Sequence, residues 1–346
     1  MKGFASDNYA GAHPEVLAAI ADANAGHAVA YGGDPWTARA EALLREHFGE
    51  QAVSYLVFNG SAANVLSLRA LCRGPWESVI CAAQAHINVD EGGAPERIAG
   101  VKLQDVPTPD AKLTPEHVER LLVRAGDEHA VQPRVVSVTQ STELGTRYST
   151  AELRALAGVA HEHGLLLHVD GARLANAAAA LDVPLRALTT DVGADAVSFG
   201  GTKNGLLLGE AVVFLDPDLA EGFKYLRKQT LQLASKGRFM AAQFVALLEG
   251  DLWRRNAAQA NTMAARLAGA LRDVPGVRLT QAVEANAIFA VLPPGVAERL
   301  QRDWHFYTWD EATGQVRLVC SWDTTAGEVD AFAADVSGAC RAALTP

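Results

Sequence analysis

From residue 53 onward, short apolar runs recur along the chain at 53–58, 79–81, 101–106, 135–138, 165–169, 196–199 and 212–215. Their length and their β-branched content predict buried strands. Amphipathic segments lie between several of them. The segment 114–126 puts Val118, Leu121 and Leu122 on one face, and Ser149 with Glu152 makes a capping box ahead of Leu153, Leu156, Ala157 and Ala160. Upstream, Pro14 opens a predicted helix over 14–25 that Gly26 closes. Strands alternating with helices predict an α/β unit with a mainly parallel sheet covered on both faces, and ligands gather at the carboxyl ends of such strands. Past Pro217 the pattern changes to helical segments over 219–249 and 251–272. Strands near 286–292 and 316–320 follow, then a closing helix capped by Thr325 and Glu328. The chain thus divides into an N-terminal arm and large domain over 1–245 and a small C-terminal α+β domain over 246–346.

A length of 346 residues, 49% hydrophobic and 20% charged, agrees with two globular domains. The net charge of −10 argues against nucleic-acid or anionic-membrane partners. The first twenty residues carry Asp7 and Glu15 rather than a basic start and apolar core, and no apolar stretch has the length to cross a bilayer. Cys72, Cys81, Cys320 and Cys340 lack metal-ligand spacing, so the expectation is reduced thiols in a cytoplasmic protein with no metal site.

Four segments could carry chemistry. His168 to Arg173 ends a strand, which sets Asp170 at the mouth of the sheet; an Asp-Gly turn alone would also read this way. One strand–helix–strand unit later, Lys203 sits among Gly200, Gly201 and Gly205. A lysine there could form a Schiff base if its pKa is lowered. Together the two suit pyridoxal 5′-phosphate (PLP), which needs an amine for its aldehyde and a carboxylate for its ring nitrogen. Gly60 and Ser61 run from a strand into a helix, where free amides could take a phosphate. His86 follows another strand, and its imidazole could stack on a flat cofactor and exchange a proton near neutral pH.

In this order the segments resemble the low-specificity L-threonine aldolases of PLP fold type I, the aspartate aminotransferase-like fold. The resemblance runs through Ser6-Asp7-Asn8, Tyr31-Gly32 with Asp34, Gly60 to Asn64, His86 and Thr139 to Thr146. It continues through His168 to Arg173, Gly201 to Gly205, Ser235 to Phe239 and Val316 to Thr324. It implies that Lys203 holds the cofactor, Asp170 pairs with its ring nitrogen and His86 stacks on its face. Gly60 and Ser61 would hold the phosphate, joined by Arg238 from a neighbouring subunit. Ser6, Arg173 and Arg317 would grip the substrate carboxylate, and His129 would lie near the substrate's side-chain hydroxyl. The implied assembly is a homotetramer, a dimer of dimers with shared sites. The implied reaction cleaves L-threonine, L-allo-threonine and related β-hydroxy-α-amino acids to glycine and an aldehyde. His86, His129 or a water could take the hydroxyl proton. A phenylserine-preferring aldolase, another fold type I lyase, an aminotransferase or a racemase would share Lys203 and Asp170. A catalytically idle PLP-binding regulator would more often carry an appended DNA-binding module.

Overall fold

In the computed structural model, which describes residues 3–344, each of the seven apolar runs becomes a strand. They are β1 Val53–Val57, β2 Glu77–Ala82, β3 Lys102–Val106, β4 Gln132–Thr139, β5 Leu166–Gly171, β6 Ala196–Gly200 and β7 Glu210–Phe214. Their order is β1-β7-β6-β5-β4-β2-β3, with β7 antiparallel to both neighbours and the remaining pairs parallel. Both faces are packed, which explains continuous rather than alternating apolar runs. Along β7, Ala211 and Val213 enter one core with Leu44, Phe48, Leu156 and Phe244. Val212 and Phe214 enter the opposite core with Leu66, Leu68 and Leu71 of the helix Gly60–Leu71.

The second sheet is antiparallel, with β8 Arg278–Leu279, β9 Ala287–Val291, β10 Tyr307–Asp310 and β11 Gln315–Val319 in the order β10-β11-β9-β8. The closing helix Ala326–Leu344 packs on it through Phe332 and Val336, and Thr325 with Glu328 caps it as expected. The arm joins this unit. Phe4 lies in its core, and the Phe4 backbone donates to His305 O and accepts from Val319 N, both at 2.7 Å. The large core takes side chains as far as Ala257, and the small one begins at Met263, so the two meet within the helix Leu252–Arg272. The expected division at residue 245 falls inside the helix Arg238–Leu248, whose Met240, Phe244 and Leu247 belong to the large core.

Two predicted helices are shorter than the pattern suggested. The segment 114–126 is helical only over Pro115–Leu121, with Gly126 at a φ of 80° in the turn that follows. The segment 219–249 breaks into Phe223–Gln229 and Arg238–Leu248. The break has partners to satisfy: Gln232 Oε1 accepts from Phe58 N at 3.0 Å, and Ser235 O accepts from Tyr31 N at 3.0 Å. An unbroken helix would commit Ser235 O to its own ladder and take that acceptor from the Tyr31 amide. The four cysteines are unpaired and buried. Among the described residues no helix is long and apolar enough to cross a membrane.

Candidate active site

Strand direction brings five loops to one edge. β2, β4, β5 and β6 are parallel, and β1, two antiparallel steps from β6, points the same way. Residues at the ends of these strands and just beyond them line one cavity of about 370 Å³: Gly60 and Ser61, His86, Glu143, Asp170, Arg173 and Lys203. Glu210 joins them because β7 starts at that edge, opposite Val57 and Gly200. The size suits a small organic ligand.

The turn after β6 depends on Gly200. A Cβ there would stand 2.5 Å from Ala172 O, so a glycine is needed for β6 to pass the turn that carries Asp170. Lys203 follows on a short 3-10 turn and is partly buried. Burial and the Arg173 guanidinium hold its ammonium below the ordinary lysine range, against the pull of Asp7, Asp170 and Glu210. Asp170 is fixed at both oxygens. Ala172 N donates to Oδ1 at 3.0 Å and Asn64 Nδ2 to Oδ2 at 2.8 Å. At the start of the helix Gly60–Leu71, the Asn59 side chain accepts from Ala62 N at 2.8 Å. The Gly60 and Ser61 amides precede the first intrahelical bond and remain open to an anion. A Cβ on Gly60 would meet nothing within 4 Å, so there is room beside them.

His86 opens a short helix, His86–Val89. Its Nδ1 lies 2.7 Å from Glu91 Oε1, and its backbone N donates to Glu143 Oε1 at 2.8 Å. The Glu91 hydrogen bond raises the imidazole pKa, against burial. Burial, reinforced by Asp170, lifts Glu143 to about 7, and burial alone lifts Glu210 to about 7. Neither carboxyl stood out in the sequence as a site residue.

Arg173 is already engaged. Its Nε and Nη2 donate to Asp7 Oδ2 and Oδ1 at 2.7 and 2.9 Å, and Asn286 Nδ2 donates to the same Asp7 Oδ2 at 3.0 Å. Arg317 donates to Ala5 O at 3.2 Å and lies 4.6 Å over the Trp309 ring. Ser6, whose Oγ accepts from Asn8 N at 3.2 Å, lines a neighbouring cavity that shares Asn8 with the first.

Arg317, like Ser6, is not among the residues lining the first cavity, and two further expected residues lie farther away in the protomer. Arg238 donates to Gly26 O at 3.2 Å and packs on the Trp36 and Phe239 rings, outside the cavity. His129 precedes β4, beside the segment where Gln132 N donates to Trp76 O, so it stands at the amino edge of the sheet. Its side chain is 80% exposed. With β4 between them, His129 cannot reach the cavity of its own chain, and the expectation that it lies near the substrate is not met within the protomer. A motif match carries no information about which end of a strand a loop occupies.

The cavity therefore offers an anion site at a helix N-terminus, an amine, a carboxylate for a ring nitrogen and an imidazole. Residues 3–293 match the beta-eliminating lyase family. A low specificity L-threonine aldolase of Pseudomonas aeruginosa is 47% identical over 96% of this chain and 96% of its own length. One from another Pseudomonas strain is 45% identical over the same shares. The structure of a threonine aldolase from Leishmania major superposes with a TM-score of 0.91, at 32% identity, covering 99% of this chain and all of that one.

Proposed function

The chain belongs to the beta-eliminating lyase family, and within it we propose an L-threonine aldolase of low specificity that uses PLP to release glycine and an aldehyde from β-hydroxy-α-amino acids. The observation that carries this reading is one cavity holding Lys203, Asp170, His86 and the free amides of Gly60 and Ser61, in a chain 47% identical to such an aldolase. PLP, when bound, supplies an electron sink for the pair released from the Cα–Cβ bond. The residues do the rest. Lys203, its pKa lowered by burial, offers an amine for the aldehyde. Asp170, held at both oxygens, would present a carboxylate to the ring nitrogen. The amides at the helix start hold the phosphate, and Arg238, free of its own cavity, serves a neighbouring subunit's phosphate in a homotetramer.

Substrate orientation falls to Arg173, Arg317 and Ser6. Asp7 occupies Nε and Nη2 of Arg173 and leaves Nη1 for the substrate carboxylate. That grip would fix the orientation of the substrate's Cα, so it should act on rate as well as affinity. With His129 outside, His86 takes the β-hydroxyl proton. The O–H and Cα–Cβ bonds break, the aldehyde C=O forms, and a proton returned to Cα completes glycine. A cytoplasmic location agrees with four reduced, buried thiols.

The test is product analysis with L-threonine, L-allo-threonine and L-phenylserine in the presence of PLP. Glycine and the matching aldehyde should form in equal amounts. Release of a 2-oxo acid and ammonia without glycine would replace the aldolase with an eliminating lyase.

A further inference from the structure

A buried carboxylate stands behind the histidine. Glu91 has a side chain 0% exposed, while that of His86 is 36% exposed at the cavity wall. The 2.7 Å contact runs from Glu91 Oε1 to His86 Nδ1. Asn64 Nδ2 donates to the same Oε1 at 3.2 Å and, with its second proton, to Asp170 Oδ2 at 2.8 Å. One amide thus ties the carboxylate behind the histidine to the carboxylate proposed for the ring nitrogen. Asn64, Glu91 and Asp170 are all buried, so little water competes for these bonds.

We propose that Glu91, anchored by Asn64, is the positioning residue that makes His86 a base: it fixes the proton on Nδ1 and leaves Nε2 as the acceptor facing the cavity. This rests on the aldolase reading above. An ionised carboxylate only accepts, so the ring nitrogen beside it must donate. A neutral imidazole has one proton, and Nε2 is then the lone pair that takes the β-hydroxyl proton. The resulting imidazolium is stabilised by Glu91 and Asp170 and opposed by Lys203. Glu143, at the His86 backbone, Glu210 and Arg173 are the other ionisable groups on the same cavity. The arrangement has the logic of a hydrolase triad, where a carboxylate sets the tautomer of the histidine that moves the proton.

Two measurements on Glu91→Gln and Glu91→Asp test this. In the cofactor-free full chain, carbethoxylation of His86 by diethyl pyrocarbonate, followed across pH by peptide mass spectrometry, reports the fraction of unprotonated imidazole. The midpoint should move to lower pH in Glu91→Gln, with Glu91→Asp between it and the parent. In the PLP-loaded enzyme, kcat for L-threonine should fall about 10²-fold in Glu91→Gln at nearly constant KM. Its acid limb should move the same way as the midpoint, and Glu91→Asp should recover part of the rate. Parental midpoints in both variants, or a loss carried by KM alone, would overturn the assignment. If Glu91→Gln fails to fold, Glu91→Asp decides by the same two readings. A fully active His86→Asn would remove His86 as the base, while the carbethoxylation midpoints would still judge the Glu91–His86 pair separately.

Discussion

Asp7→Asn tests whether the arm sets the substrate clamp. Asp7 has a side chain 1% exposed and bridges Arg173, itself 17% exposed, through two hydrogen bonds, with a third from Asn286 of the small domain. Burial pushes the Asp7 carboxyl up, but Arg173, Lys203 and the Asn286 bond outweigh it and hold it below its ordinary value of 3.8. Removing one member of a buried pair costs about 3–5 kcal/mol, because the remaining charge is stranded. Asparagine keeps one acceptor, so about 2–3 kcal/mol is expected, the size of a lost charge-assisted hydrogen bond. The guanidinium left behind faces Lys203 and Arg317 without its counter-charge. Thermal unfolding at matched PLP loading should show a Tm several degrees lower. A freed Arg173 side chain also loses its fixed orientation, so kcat/KM for L-threonine should drop about tenfold or more. The sign with pH follows from the depressed carboxyl. Its stabilisation is complete above the unfolded value near 3.8 and is lost as pH falls through the lower folded value. The gap between parent and variant should therefore be constant over neutral pH and close only in acid. Unchanged Tm and kcat/KM would refute both the latch and the orienting role.

Lys203→Ala should abolish the yellow colour and the borohydride-trapped PLP peptide; a label on any other lysine would refute its assignment. Asp170→Asn should retain PLP yet lose turnover by orders of magnitude, since each pKa unit lost at the ring nitrogen is worth about 1.4 kcal/mol; near-normal kcat would remove the carboxylate from the mechanism. Mixing inactive Arg238→Ala and Lys203→Ala subunits should restore part of the activity, because a hybrid can assemble one intact site. Absence of rescue despite demonstrated subunit exchange would count against sharing.

The strands were legible because burial on both faces writes them as unbroken apolar runs, and Asp170 and Lys203 were legible because each ends or follows such a run. The helical stretch 219–249 was misread for the opposite reason. Its break at Gln232 and Ser235 serves acceptor needs of Phe58 and Tyr31, far away in sequence, and periodicity cannot register them. Asp7 stood in the sequence only as part of a motif, since its partner Arg173 lies 166 positions on. Asn64 likewise stood only inside a motif, and Glu91, which reaches Asp170 through Asn64 only once β1, β2 and β5 align, was marked by neither spacing nor residue type. His129 shows the converse, a motif match that the direction of β4 carries to the wrong edge. The residues proposed to bear the reaction's bonds are thus visible locally, whereas those proposed to position them are defined by the fold. The first group is where substitution should abolish chemistry outright. The second, Asp7, Asn64 and Glu91, is where orientation and pH dependence should change while the cofactor stays bound, so measuring both in the same variants separates the two groups.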